Sequence, residues 1–466
     1  MKAKIWFSLL LGLLFISPAS LAAAQGESST GPVYIVQPGD TLWAISRVFD
    51  VSVDDIVTLN EIADASQLAV GTHLVIPGLE GLEGVLMIGT VPYGETFRSL
   101  SRRYQVPFEM MARLNHFTSP EAAAAGAPLI TIEQEGVDGV LTGGRAALHN
   151  GQSLFELAIT QNTSPWALAV ENGLDATWEA LPGDILHLSG VVDPGPGALP
   201  QAITGIELAP FPAVQGKTLL YRVSASQPLT LAGVFNGRPL NFFADEQDWV
   251  ALQGVHALLE PGYYPSVIQG ELADGTAFSF SQQLYVRDGG YIFDPPLVVD
   301  SETVDVENTT PEDFEWFSIV EPVTPERMWA GTFRAPVPDS LKDCFPSLFG
   351  NRRSYNGSAY DYFHTGLDFC GRTGVEIYAP APGVVVFTGE LIVRGNSTVI
   401  NHGWGVYTAY AHQSEIRVSE GERVEAGQII GLVGSTGRVT GPHLHWEVIV
   451  GGDQVNPLDW LQQAYP

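Results

Sequence analysis

The hydrophobic residues of this 466-residue chain keep a helical period in its first part, an alternating one in the middle, and a strand-and-turn rhythm towards the end. Between Tyr34 and Pro77, Leu42, Ile45 and Phe49 fall on one helical face after a polar start at Asp40-Thr41. Ser52-Val53-Asp54-Asp55 has the form of a helix cap, and Ile56 and Leu59 carry a second apolar face up to Asn60. The apolar stretches YIV before Gly39 and THLVIP (72–77) read as strands, so the pattern predicts a compact βααβ unit. The pattern returns twice: VQPGDTLWAISRVFDVSVDDIVTLNEI (36–62), VPYGETFRSLSRRYQVPFEMMARLNHF (91–117) and LHNGQSLFELAITQNTSPWALAVENGL (148–174) align throughout. Gly39, Gly94 and Gly151 each precede an asparagine, Asn60, Asn115 or Asn172, by 21 residues. One spacing filled by different residues marks three copies of a single unit, over 33–78, 86–133 and 146–190.

The period then changes. DPGPGALPQA (193–202) reads as a linker, and over 203–288 short alternating runs such as TLLYRVSA, LTLAGVFNG and AFSFSQQLYVR are separated by turn signals. That predicts a β-sandwich, immunoglobulin-like in pattern, with no visible chemistry. His256 stands alone among apolar neighbours there and reads as structural. A connector over 299–326 follows; from Asp300 to Glu326 it holds nine acidic residues and no Lys or Arg, which predicts a solvated segment with a short helix around Pro311–Val320. The remainder, 330–466, is again strand-rich, so the fold class is multidomain and mainly β.

Composition narrows the setting. MKAK followed by an apolar run and then SPASLAAAQG predicts a signal peptide over 1–24, hence an exported, secreted or cell-envelope protein with no membrane association once the signal is removed. Lys plus Arg number 22 against 52 Asp plus Glu, a formal net charge of −30. Such a field repels phosphate backbones and anionic lipids, so no nucleic-acid partner is expected. The only cysteines, Cys344 and Cys370, are expected to pair in an exported chain. Two cysteines cannot build a cysteine-rich metal site, so any metal must be held by histidine and carboxylate.

Five of the ten histidines lie in the last third, at 364, 402, 412, 443 and 445. HLHWEVIV has strand composition, and alternation points His443 and His445 to one face, with roots about 7 Å apart. Either both ligate one ion, or one ligates while the other faces substrate. HTGLDFC brings His364 and Asp368 into range of the same site, and in YAHQS the strand pattern places Thr408, Tyr410 and His412 on a shared face. A catalytic zinc needs three protein ligands and an open position, which His364, Asp368 and one histidine of the His-Leu-His pair would supply. His402 reads as structural.

Two resemblances rest on these residues. YIVQPGDTLWAISRVF…LN…L…G…LVIP, over Tyr34–Gly78, resembles a LysM module, a family that binds N-acetylglucosamine-containing glycans such as peptidoglycan and chitin. By that resemblance Gly39, Asp40, Thr41 and Leu42 form one side of a sugar groove and residues near Leu68–Gly71 the other. The later copies carry Gly94-Glu95-Thr96-Phe97 and Gly151-Gln152-Ser153-Leu154 in place of Gly-Asp-Thr-Leu, which leaves open whether they bind glycan or act as spacers.

The segment from about Ala330 to Leu461 resembles the catalytic domain of lysostaphin-type (LytM-like) zinc endopeptidases. FGNRRSYNG…FHTGLDF, VINHGWGVYTAYAHQ, VEAGQIIGLVGSTGRVTGPHLHWEV and NPLDWL carry the likeness. The resemblance implies an antiparallel β-sheet with a long groove. In it one zinc ion is held by His364, Asp368 and His445, and His412 and His443 are catalytic. Arg352 and Arg353 match a basic pair that would face substrate, as would Tyr410; Tyr360 and Tyr362 are candidates for a tyrosine near the site. The implied function is hydrolysis of peptidoglycan peptide cross-links, with peptidoglycan as partner and both a D-alanine–diamino acid bond and a glycine–glycine bond open as targets. The alternative is a non-catalytic, glycan-bound scaffold or activator of another wall hydrolase. A third class, a biotinyl- or lipoyl-type carrier suggested by VSEGERVEAGQIIGLVG, lacks its lysine, since Lys342 is the only lysine after residue 217.

Overall fold

The 21-residue spacing has a physical cause in the structure, a computed structural model describing residues 31–66, 68–119, 122–133, 143–149, 151–192 and 195–466. In each repeat the asparagine ends the second helix and hydrogen-bonds across to the last strand. Asn60 Nδ2 donates to the carbonyls of Ile56 and Val75, and Asn60 Oδ1 accepts from the Val75 amide at 2.7 Å. Asn115 does the same with Met111 and Ile130, and Asn172 with Leu168 and His187. One side-chain amide thus satisfies a helix end and a strand together, which only Asn does at this reach. The expected signal segment 1–24 lies outside the described residues.

The chain divides into two compact units, one ending at Val85 and one beginning at Leu86. In the first, β1 (Val33–Ile35) and β2 (His73–Val75) pair antiparallel around α1 (Leu42–Phe49) and α2 (Val53–Leu59). Thr41 caps α1 by accepting from the Ala44 amide at 3.1 Å, and Ser52 caps α2 through the Asp55 amide at 3.0 Å, so both predicted helix starts are built as expected.

The second unit opens with the other two repeats. One comprises β3 (Val85–Thr90), α3 (Phe97–Arg103), α4 (Phe108–Asn115) and β4 (Pro128–Glu133); the next comprises β5 (Gly143–Ala147), α5 (Leu154–Thr160), α6 (Pro165–Glu171) and β6 (Ile185–Val192). The sandwich follows. One sheet runs β11 (Arg238–Leu240), β10 (Leu229–Phe235), β14 (Gly262–Leu272), β15 (Ala277–Arg287), β8 (Ala213–Val214). The other runs β12 (Phe243–Asp245), β13 (Asp248–Gly254), β9 (Thr218–Ala225), β7 (Ile203–Ala209). Tyr93, Ala125 and Leu199 enter the sandwich core, so the second repeat and the sandwich form one packed body.

The connector departs from expectation. It is a docked helix, α7 (Val306–Val320), capped by Asp305, and longer than the charge pattern predicts. Trp316 and Val320 pack in a cluster with Leu391, Val399, Tyr407 and Ile449, while Glu312 is buried in an ion pair with Arg394 at 2.8 Å. Two apolar residues and one satisfied carboxylate therefore outweigh the segment's charge count.

The C-terminal part centres on an antiparallel sheet in the order β18 (Leu367–Cys370), β26 (His443–Val450), β22 (Val406–Ala411), β21 (Gly395–Gly403), β20 (Gly383–Leu391), β24 (Arg423–Val424), with β27 (Asp453–Val455) beside β26. A smaller sheet of β19 (Glu376–Tyr378), β25 (Ile429–Val433) and β23 (Gln413–Ile416), and a ribbon of β16 (Arg352–Arg353) with β17 (Tyr362–Phe363), flank it. Leu367, Phe369, Tyr410, Leu444, Trp446 and Val448 bury one face of the main sheet in the largest core; helix α8 (Pro457–Gln462) adds Trp460 to it. The cysteines pair as expected, with Cα atoms 5.4 Å apart.

Candidate metal centre and groove

Register puts the first two chemical groups face to face. Asp368 of β18 lies directly opposite His445 of β26, and alternation turns both away from the core that holds Leu367, Phe369, Leu444 and Trp446. His364, just before β18, completes the cluster. His364 Nε2 lies 3.0 Å from Asp368 Oδ1 and 3.1 Å from His445 Nδ1, and His445 Nδ1 lies 2.9 Å from Asp368 Oδ1.

The outer nitrogens fix the tautomers. His364 Nδ1 donates to the Leu348 carbonyl at 2.8 Å, and His445 Nε2 donates to Glu447 Oε1 at 3.0 Å. Both inward nitrogens then carry lone pairs, and these converge with a carboxylate oxygen on one point. Three buried acceptors facing one another need a cation between them, so the donor set fits a metal ion. Burial would pull the His445 pKa down, but hydrogen bonds to Asp368 and Glu447 lift it to about 9. Burial likewise works against the Asp368 carboxylate, yet the contacts with His364 and His445 hold its pKa well below the usual range.

Two more histidines stand beside this cluster. His412 lies 5.0 Å from His443 and 5.8 Å from His445, ring centre to ring centre. His412 Nδ1 donates to the Thr436 carbonyl and His443 Nδ1 to the Gly441 carbonyl, both at 2.8 Å, which commits each ring through Nδ1; His443 Nε2 lies 3.5 Å from Asp368 Oδ1. Burial, followed by the neighbouring His445 and His443, pushes the His412 pKa down to about 3, so its ring is a neutral acceptor at ordinary pH. All five groups line one groove of about 980 Å³.

The sequence model of Peptidase family M23 matches residues 362–457, and that of the LysM domain matches residues 34–77 and 90–130. The chain carries an M23 peptidase domain, preceded in sequence by LysM domains. It is similar to the peptidoglycan DD-endopeptidase ShyA of Vibrio cholerae, 50% identical over 95 residues, covering 20% of this chain and 22% of that protein. It is also similar to the DD-carboxypeptidase/endopeptidase Mpg of Neisseria meningitidis, 47% identical over 95 residues with coverage of 20% and 22%. The murein hydrolase activator NlpD of Salmonella dublin is 38% identical over 109 residues, covering 23% of this chain and 29% of that protein. The chain thus spans between 22% and 29% of the length of these relatives.

Within the M23 domain the expected substrate contacts divide. Arg353 lines the groove, with Nη2 donating to Ser347 Oγ at 2.7 Å and Nε 3.4 Å from Asp294. Arg352, its neighbour on β16, turns the other way over the Tyr291 ring and is not a groove residue. Tyr410 also corrects the expectation. It is fully buried on the opposite sheet face, opposite Trp446, and its hydroxyl pairs with Thr408 at 2.9 Å. The simple alternation fails because β22 stops at Ala411 and His412 takes a left-handed backbone, φ 61°, which swings its ring to the metal side. Tyr362 lines the groove, whereas the Tyr360 hydroxyl donates to the Asp294 carbonyl. His402 is buried between the Pro382 carbonyl and Thr408, a structural role as expected.

In the first LysM domain the two predicted loops are zipped together, with the Gly71 amide on the Val36 carbonyl at 2.9 Å and the Val36 amide on the Thr72 carbonyl at 3.0 Å. Gly39 is exposed with φ 92° and open space around it. The neighbouring side chains shape the loop instead of facing outward: Asp40 accepts from Tyr34 and from the Gln37 amide, Thr41 caps α1, and Leu42 is in the core. Trp43, 69% exposed, is the apolar surface that the loop offers, and its tryptophan within an amphipathic helix was the signal for it. In the second LysM domain the same zipper, Gly126 to Val91, is buried. Gly94 bonds Gln282 and Ala198, and Ala125 pairs with Gln283 and Tyr285 of the sandwich. The loop that corresponds to the exposed one of the first domain is therefore covered by protein.

Two groups escaped the sequence reading. Glu447 sits two residues beyond His445 on the same strand face, where the period of two would have placed it. Its Oε1 also accepts from Thr365 Oγ1 at 2.7 Å. The Thr436 carbonyl that orients His412 leaves no trace in side-chain chemistry.

Proposed function

We propose that this chain is an exported zinc endopeptidase that cleaves the peptide cross-links of bacterial peptidoglycan and is held on the glycan by its first LysM domain. The observation that carries the reading is the convergence of His364 Nε2, Asp368 Oδ1 and His445 Nδ1, all within 3.1 Å of each other, beside His412 and His443, whose Nδ1 atoms are both held by backbone carbonyls. The M23 match and the wall-hydrolase relatives support it, as does the envelope setting that LysM domains imply. Among the described residues no helix is long and apolar enough to cross a membrane.

His364, Asp368 and His445 would hold the ion. A zinc ion bound there supplies Lewis acidity, polarising the scissile carbonyl and acidifying the attacking water. The chain's own residues do the rest. His412, neutral and with its Nδ1 proton committed to Thr436, presents Nε2 to take the proton of the attacking water, and His443 is placed to donate to the developing oxyanion or the leaving amine. The two can exchange these roles. Glu447 keeps the His445 proton on Nε2 and so keeps Nδ1 available as a ligand.

The activator reading differs in its chemistry, since an activator needs neither metal nor free histidine nitrogens. Purified protein is expected to hold near-stoichiometric zinc and to release new amines from isolated sacculi, with His445→Ala abolishing both. Sacculus binding without amine release in the zinc-loaded protein would instead establish the scaffold.

A further inference from the structure

The acidic connector closes one end of the groove. On the wall that leads to His364 its first residue is held by the chain beside it: the Val299 amide donates to Asn356 Oδ1 at 2.9 Å and Asn356 Nδ2 donates to the Val299 carbonyl at 3.1 Å. On the wall that leads to His412, Glu312 accepts from the Val393 amide and from Arg394 Nη1, both at 2.8 Å. The chain crosses between these anchorages through a turn at Ser301–Thr303. At that crossing the Thr303 carbonyl accepts from Arg438 Nη1 at 3.0 Å.

Arg438 differs from the other guanidinium groups of the groove. Arg394 has Glu312 at 2.8 Å and Arg353 has Asp294 at 3.4 Å. Arg438 has only neutral partners: the Thr303 carbonyl, the Tyr355 ring 4.2 Å beneath it, and the Tyr355 hydroxyl at 3.5 Å. Among the described residues no carboxylate lies within 4.0 Å of it, in a chain with 52 acidic residues. Burial above all lowers its pKa, with Arg394 and Arg353 acting in the same sense and Tyr355 and Glu312 acting against them. Its backbone is fixed, the amide donating to the Val393 carbonyl at 2.8 Å, on the same loop whose Thr436 carbonyl orients His412. A planar fork with unspent donors, held rigidly in a groove and with no direct ion pair of its own, is suited to receive a carboxylate.

We propose that Arg438 is a specificity-determining residue that receives a free α-carboxylate of the substrate at the closed end of the groove. The inference rests on the hydrolase reading and names its substrate class. A carboxylate ends a peptide on its C-terminal side, so it lies on the residue that supplies the scissile nitrogen or close after it. The favoured bond is therefore one such as D-alanine to a diamino acid that keeps a free carboxylate, and a glycine–glycine bond within a continuing bridge is disfavoured.

The test uses the full zinc-loaded chain and two synthetic peptides that differ only in ending as a free acid or as a carboxamide after the scissile bond. Binding by calorimetry and hydrolysis are read separately. The acid is expected to bind on the order of tenfold more tightly or better. Arg438→Met is expected to lower acid binding far more than amide binding and so erase the preference, and Arg438→Lys to leave part of it. Equal affinity for the two peptides in the unaltered protein overturns the proposal, as does an equal loss for both in Arg438→Met, which would mean that Arg438 only pins the connector. If the acid is preferred but neither peptide is cut, the carboxylate site stands and the hydrolase reading falls. Cleavage of both with no preference sinks the carboxylate site alone.

Discussion

Glu447 shows how much a single carboxylate can decide without touching the metal position. It is buried, accepts from His445 Nε2 at 3.0 Å, and is itself held by Thr365. Replacing it with glutamine keeps the shape but lets the amide donate, which opposes the tautomer that His445 needs. Zinc affinity in Glu447→Gln is expected to fall by about 10- to 100-fold with the melting profile little changed, measured by chelator competition. His402 makes a different contribution. Burial lowers its pKa to about 4, so the folded protein resists the proton that the unfolded chain accepts near 6.5. The unfolded state then binds more protons between those values, and stability falls as the pH drops through that window, by up to about 3 kcal/mol at pH 4. Melting temperatures in His402→Gln should lose part of that slope; an unchanged slope would place the acid sensitivity elsewhere. At this scale the sequence was readable where backbone geometry was regular. His443 and His445 share a face because β26 alternates without a break. Tyr410 was misplaced because the left-handed residue at 412 has no signature in composition.

Elements behave as carriers of position. The asparagine at the end of each second helix was legible as a spacing, and its role as a brace follows from the hydrogen-bond capacity of one amide. Helix α7 was legible only over Pro311–Val320, and its docking was not, because nine acidic residues read as a solvated strip and nothing local marks Glu312 as the one that turns inward. Its partner Arg394 is 82 residues away. The same Arg394 passes its carbonyl to the His412 amide at 2.9 Å, so the helix supports the catalytic side of the groove. Glu312→Ala leaves a buried guanidinium with only the more exposed Asp313, 3.7 Å away, as counter-charge. It is expected to destabilise the protein by about 3 kcal/mol in urea unfolding. Hydrolysis should also fall while zinc content is retained. Loss of stability with unaltered turnover would show that the helix does not set the position of His412.

For the molecule as a whole, the three repeats are alike in fold and unlike in what surrounds them. Deleting residues 34–78 is expected to weaken sedimentation with sacculi and leave cleavage of a soluble peptide largely intact. Deleting residues 86–192 is a different operation, because Tyr93 and Ala125 belong to the sandwich core and Gly94 bonds Gln282. That variant is expected to melt at lower temperature or to aggregate, and full stability would contradict the shared core. The sandwich in turn reaches the peptidase through Lys217 to Asp459 at 2.6 Å and Trp460 to Thr218 at 3.0 Å. Repeat number was plain from the sequence, whereas which copy faces solvent depends on contacts nearly two hundred residues apart.

Freedom to vary is therefore distributed unequally between the copies. At Gly39 nothing lies within 4 Å of where a side chain would begin, so neighbouring packing does not restrict that position. At Gly94 an added methyl would meet Pro196 at 2.5 Å, so inherited change there registers first as a folding defect. A position open to solvent in one copy is walled in within the next, and a lineage of this protein could alter the former many times before it could alter the latter.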